Sequence, residues 1–279
     1  MTTAIADPAA RTAAAHSAAP WKPYPARQVW HTPHIAGRLL TRVDVTSPQL
    51  DNLRDIHILL PPSYDSQPDR RYPVMYMQDG QNLFDERVSF GGHDWRVDET
   101  MQALAAEGIE ALIVGVEHGG ERRVAEYNPY AHFWNGRGAD YLRFLTETLK
   151  PVVDAEFRTL PDPAHTGVFG SSMGGLISLY AFFTHPQVFG MAGAMSPSLW
   201  IGGGAIYGTV TEAPVNPGRV YLDNGTRESS ARRMSALLLA KGYRRDVDLK
   251  YVVEHDGEHT EAAWARRLPD ALRFLLKRG

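Results

Sequence analysis

Gly170-Ser171-Ser172-Met173-Gly174 spells G-x-S-x-G centred on Ser172, a pattern whose chemistry is acyl transfer through a serine nucleophile. A β-type run, HTGVF, leads into it and an apolar helical run, LISLYAFF, leads out. A sharp strand–turn–helix of this kind holds a serine in a sparsely populated backbone region, so its flanks must lack bulk, as Gly170 and Gly174 do. The helix that begins here aims its first N–H groups at the oxygen of a reacting carbonyl. A serine hydroxyl also needs a base. His185, His255 and His259 are the histidines that follow Ser172. His185 precedes Pro186 at the far end of the helix, whereas His255 and His259 share the segment HDGEH after the last β-type run. Gly257 gives a turn just before His259 and a helical pattern starts just after it, which makes His259 the expected base and His255 the runner-up. In turns of this kind the acid lies between serine and histidine in the chain. VYLDNGTRE offers Asp223 and Glu228. Glu228 is favoured because the Asn224-Gly225 turn returns its carboxylate toward His259, while Asp223 suits a cap on that turn. The acid's role is to fix the imidazole tautomer and stabilise the imidazolium. Two backbone donors are expected for the oxyanion, Met173 and, in the loop QDGQNLFD, Gln81. Asp79 and Asp85 in that loop have no neighbours to complete a ligand set; they read as backbone-bonding residues, and no metal or cofactor is called for.

The elements that must position these groups alternate. Gln28–Trp30, Leu39–Val45 and Ile56–Leu60 read as consecutive strands, followed by Pro73–Met77, Ala111–Val116, Thr166–Gly170, Met191–Met195, Val220–Leu222 and Leu249–Val253. Helical spacing marks Trp95–Ala106, Tyr141–Phe157 with a kink expected at Pro151, Met173–Phe183, Ser229–Ala240, and Glu261–Lys277 with a break expected near Pro269. Strand–helix alternation implies a mostly parallel central sheet with helices on both faces.

Composition narrows the function classes. The 279 residues carry 29 Lys plus Arg against 32 Asp plus Glu, a net charge of −3 that gives no footprint for nucleic acid or an anionic membrane. Zero cysteines exclude thiolate catalysis, disulfides and cysteine-ligated metals. No apolar run approaches the roughly 20 residues of a bilayer span. Residues 1–26 are Ala-rich at their start and read as a weakly ordered tail without a secretory signal, so a cytoplasmic location is expected. Residues 27–279 read as one α/β domain.

RRYPVMYMQDGQNLFD, RRVAEYNPY, TGVFGSSMGG, MSPSLW, YLDNGTRE and GEHTEAAWARRLPDALRFL together resemble the α/β-hydrolase esterase family related to esterase D. That family includes feruloyl and acetyl-xylan esterases, enterobactin-type siderophore esterases and mycolyltransferases. The resemblance runs from about Asp51 to Leu275 and is strongest toward the enterobactin-esterase-like branch, in QDGQNLFD and SPSLW. It implies the α/β-hydrolase fold, Ser172 as nucleophile, Glu228 as acid and His259 as base. It also implies that the SPSLW and RRVAEY loops border the substrate cleft. Trp200 is then expected to stack on an aromatic or sugar group, or else to be a core tryptophan, and Arg123 to pair with a carboxylate or with Glu126, a structural salt bridge being favoured. The expected partner is a small-molecule ester, hydrolysed by a serine carboxylesterase. An acyltransferase using the same site and an inactive hydrolase scaffold used for binding are the alternatives.

Overall fold

The computed structural model describes residues 19–25 and 30–277. Nine strands form one sheet: β1 (Lys22–Pro23), β2 (Arg38–Ser47), β3 (Asn52–Leu60), β4 (Val74–Gln78), β5 (Leu112–Val116), β6 (Thr166–Ser171), β7 (Met191–Met195), β8 (Arg219–Gly225) and β9 (Leu249–Glu254). Their order is β1-β2-β3-β5-β4-β6-β7-β8-β9. The first three strands pair antiparallel and β5 through β9 run parallel. β4, β5, β6 and β7 are buried along their whole length, as apolar runs covered on both faces must be.

The covering helices are α1 (Val97–Ala105), α2 (Arg123–Glu126), α3 (Gly138–Arg143, continued through Phe144–Leu149 and Lys150–Glu156), α4 (Met173–Thr184), α5 (Ile206–Glu212), α6 (Arg232–Ala240) and α7 (Glu261–Leu276). Two apolar cores result. One holds Val114, Phe144, Leu176 and Leu222; the other holds Met77, Trp95, Leu104, Phe169, Trp264 and Leu272.

The structure is the expected α/β-hydrolase type of sheet, with local differences. Helix α7 runs unbroken through Pro269; the proline lies on its half-exposed side, where a released carbonyl can reach water. Pro151 likewise starts the last part of α3, just after a wide π-type stretch over Phe144–Leu149, rather than interrupting it. Within the segment expected to be a tail, Lys22–Pro23 pairs with β2 and Trp21 packs edge-on against Phe157 at 5.3 Å. Residues 1–18 and 26–29 lie outside the described residues, which covers most of the strand expected at Gln28–Trp30.

Strand order reverses at β4. The chain goes from β4 to β5 on one side and later to β6 on the other. Ligands in open α/β sheets sit at the carboxyl ends of strands where this reversal occurs. The loops leaving β4 and β6 there carry Gln81 and Ser172.

Candidate active site

Ser172 stands between β6 and α4 with φ 54° and ψ −121°, a conformation that costs a non-glycine residue on the order of 1–3 kcal/mol. Its surroundings impose it. Ser172 N–H donates to Met195 O at 2.9 Å, and Ser172 O accepts from Ser198 N at 2.9 Å and from Leu176 N at 3.1 Å. A Cβ on Gly170 would lie 2.6 Å from the Gly174 carbonyl carbon, so strand and helix approach this closely only because that position is glycine. Ser172 Oγ meets Ser198 Oγ at 3.1 Å.

The loop after β4 lies alongside. Asp79 takes a left-handed conformation, φ 56°, before a short turn at Gly80–Asn82. A Cβ on Gly174 would be 3.1 Å from Gln78 Cβ and 3.5 Å from Asp79 Oδ2. Among the described residues neither Gln81 N–H nor Met173 N–H has a hydrogen-bond acceptor. Both expected oxyanion donors are therefore open, one from each side of the β4–β6 reversal.

The residues expected as acid and base lie just beyond the ends of β8 and β9. Glu228 Oε2 pairs with His259 Nδ1 at 2.6 Å. Oε1 accepts from Ser196 Oγ at 2.6 Å and from Gly225 N–H. Burial alone would raise the Glu228 pKa; the hydrogen bonds from His259, Ser196 and Gly225 outweigh it and hold the carboxyl below its usual value. The two loops touch backbone to backbone, since a Cβ on Gly225 would fall 2.0 Å from Gly257 O. His259 is 43% exposed at its side chain and packs edge-on against Trp264 at 5.0 Å.

The alternatives left open above lie in different surroundings. Asp223 is fully buried, accepts from Ser196 N at 3.0 Å and from Tyr221 OH at 3.1 Å, and lies 3.1 Å from Arg267 Nε. Burial pushes it up to about 7, against the pull of Arg267. It has no hydrogen bond to His259 among the described residues. His255 is 89% exposed and meets Asp256 at 3.2 Å; His185 sits at the far end of α4. Ser172 and His259 share no hydrogen bond among the described residues. They are linked through the end of β7: Met195 holds the serine backbone, and the next residue, Ser196, bonds to Glu228.

Arg123 does not pair with Glu126. Its guanidinium clamps Asp79, Nε to Oδ1 at 2.6 Å and Nη2 to Oδ2 at 2.8 Å, and stacks over Tyr127. Glu126 instead closes a buried pair with Arg54 at 3.0 Å. Trp200 is 56% exposed and meets Trp134, itself 55% exposed, at 6.0 Å. Trp134 was not among the expected residues; the structure puts it beside Trp200 through a loop in which Trp134 and Asn135 both have φ 50°. Asp79 and Asp85 are paired with Arg123 and with His31 and Tyr24 respectively.

The match to the family described as "Putative esterase" covers residues 47–275. The chain belongs to this esterase family. Its activity class is carboxylic ester hydrolysis. It is 26% identical over 244 residues to the uncharacterized protein YbbA of Bacillus subtilis, covering 80% of this chain and 92% of that one. It is 32% identical over 145 residues to a siderophore enterobactin esterase of Emericella nidulans, covering 51% of this chain and 44% of that enzyme. Similarity to the iron(III) enterobactin esterase of Dickeya dadantii is 28% over 301 residues, with 98% of this chain and 65% of that enzyme covered. The esterase chain thus spans less than two thirds of those two siderophore esterases. Among solved structures, a ferulic acid esterase superposes with a TM-score of 0.69 at 21% identity, over 85% of this chain and 97% of the other. The enterobactin esterase of Shigella flexneri, solved with enterobactin, gives 0.69 at 21% identity, over 88% of this chain and 60% of the other. These two likenesses establish the fold. Among the described residues, no helix is long and apolar enough to cross a membrane.

Proposed function

We propose that this esterase hydrolyses a small or medium acyl ester through Ser172, His259 and Glu228, by way of an acyl-enzyme. The observation that carries this is the strained Ser172 turn at the β4–β6 reversal, with two open backbone donors beside it and a Glu228–His259 pair on the same edge of the sheet. Ser172 Oγ leaves Ser198 and attacks the carbonyl carbon as His259 Nε2 takes its proton; such catalytic bonds tighten when substrate is bound. The carbonyl oxygen becomes an oxyanion between Gln81 N–H and Met173 N–H, each worth roughly 3 kcal/mol to the transition state. His259 then returns the proton to the leaving alkoxide. Water, activated by the same imidazole, releases the acid and restores Ser172. Exposure of His259 supports hydrolysis over transfer, because water reaches the base directly.

The exposed pair Trp134 and Trp200 supports a substrate with a flat group. Trp200 is two residues from Ser198, which touches the nucleophile, so the aromatic wall begins within about 7 Å of chain from the reacting centre. Relatives named for enterobactin make enterobactin and related siderophore esters the first natural substrates to screen.

The test is hydrolysis of p-nitrophenyl acetate, butyrate and octanoate by the native protein and Ser172→Ala in parallel. Loss of at least a thousandfold in the variant, with unchanged circular dichroism, is expected. Turnover retained by pure Ser172→Ala sinks the reading.

A further inference from the structure

Ser196 is 2% exposed and held at φ 43° at the end of β7. Its backbone N–H donates to Asp223 and its hydroxyl to Glu228, so one residue ties together both carboxylates that compete for the role of acid. Two further groups reach the same hydroxyl oxygen, Trp264 Nε1 at 2.9 Å and Arg267 Nη2 at 2.9 Å. An indole N–H and a guanidinium can only donate. Both lone pairs of Ser196 Oγ are therefore taken, and its single proton has one place left to go, Glu228 Oε1. That oxygen also accepts from Gly225 N–H, so it too is filled with donors.

We infer that Ser196, held by Trp264 and Arg267, is a positioning residue that fixes the proton order of the acid–base pair. Glu228 stays a carboxylate, His259 carries its ring proton on Nδ1, and Nε2 is left as a lone pair for Ser172. The inference rests on the triad reading above and adds the groups that give it a single protonation pattern. Arg267 is the charge that makes this possible. Its side chain is 4% exposed, 3.1 Å from Asp223, 3.6 Å from Glu228 and 3.4 Å from Glu254, and its Nε and Nη1 act through charge, without hydrogen bonds. The other charged groups facing the pair are Glu261, beside His259 at the start of α7, and behind it Asp79 with Arg123.

The experiment is the pH profile of kcat/KM on p-nitrophenyl acetate for Ser196→Ala, Arg267→Lys and Arg267→Met, with the downfield Nδ1–H proton resonance of His259 recorded on each. Removing the Ser196 proton leaves Glu228 Oε1 more basic, so it holds the imidazolium more tightly. The acid limb of Ser196→Ala moves up by about one pH unit, kcat falls about tenfold, KM stays within twofold, and the Nδ1–H resonance shifts. Arg267→Met moves the limb the same way, and Arg267→Lys, which keeps the charge, moves it less. A native acid limb and an unshifted resonance in folded Ser196→Ala overturn the inference. Should Ser196→Ala not fold, equal displacements in the two Arg267 variants overturn it. Failure of the triad reading looks different: Ser172→Ala then retains turnover, while the resonance, which needs no turnover, still reports on Ser196.

Discussion

Two groups of three carboxylates lie at helices α1 and α7, which pack on each other. Asp94, Asp98 and Glu99 bring oxygens within 4.8 Å of one another. Asp223, Glu228 and Glu254 gather around Arg267. In the first group burial pushes Asp94 up to about 6 and Asp98 up to about 7. The cation nearest to it is Arg96, 3.4 Å from Glu99 and 65% exposed, which leaves it well screened by water. Asp98 has Ala36 N–H on one oxygen and, among the described residues, no hydrogen bond on the other. The second group splits. Asp223, fully buried, also rises to about 7 despite Arg267 beside it, whereas Glu228 falls below its usual value. A nearby cation does not by itself keep a carboxylate ionised. What separates Glu228 from the fully buried Asp223 is less complete burial combined with three donors, one of them the His259 imidazole.

Glu228→Gln tests that separation most severely. It exchanges an acceptor for a donor at the His259 contact, and kcat is expected to fall by about 10³–10⁴. The matching Asp223→Asn variant loses less than about tenfold, because Asp223 has no bond to His259; equal losses in the two would erase the distinction. Arg267→Met strips the second group of its cation and makes it resemble the first. Breaking a buried charge cluster this way costs about 3–5 kcal/mol, to be read as a lower midpoint in urea unfolding. Asp98→Asn has the smallest effect and the opposite sign. The Asp98 carboxyl has a folded pKa of about 7, above its unfolded value near 4. The folded state then binds more protons between those values, so stability falls as pH rises through that window and stays low above it. Asn, neutral throughout, raises Tm by a few degrees at pH 8, and the gain fades toward pH 4. A pH-independent gain would mean that charge is not the cause.

The sequence carries the catalytic edge of the fold more clearly than its supports. Ser172, Met173 and His259 are readable because strand, glycine turn and helix must coincide there, and the chain order of base and acid restricts the rest. The Asn224-Gly225 turn ranks Glu228 above Asp223 in the sequence, but only three dimensions show that Glu228 meets His259 while Asp223 is buried beside Arg267. Arg267 left a trace that can be read in retrospect. It falls on the buried stripe of α7 with Ala263, Trp264, Leu268, Ala271, Leu272 and Leu275, and a charge on an apolar stripe implies a buried partner. Ser196 shows in the sequence only as the first residue of SPSLW, its role resting on four converging groups, and Trp134 left no trace, since it depends on two left-handed residues in a loop. The partner of Arg123 was misread for a related reason. Sequence proximity favours Glu126, but Glu126 is committed to Arg54, and the left-handed turn at Asp79 delivers a nearer carboxylate.

The backbone contact between the β8 and β9 loops also sets a schedule for the nascent chain. Ser172 leaves the ribosome 87 residues ahead of His259, which at about 5–20 residues per second is roughly 4–17 s. Throughout that interval the serine turn has its helix and the Gln81 loop but not His259, the proposed base, and Glu228 has neither that imidazole nor the Trp264 and Arg267 that bond to Ser196. Docking of β9 and α7 brings all of these groups together at once, so on the proposed mechanism the serine turn waits for those two elements before it can react.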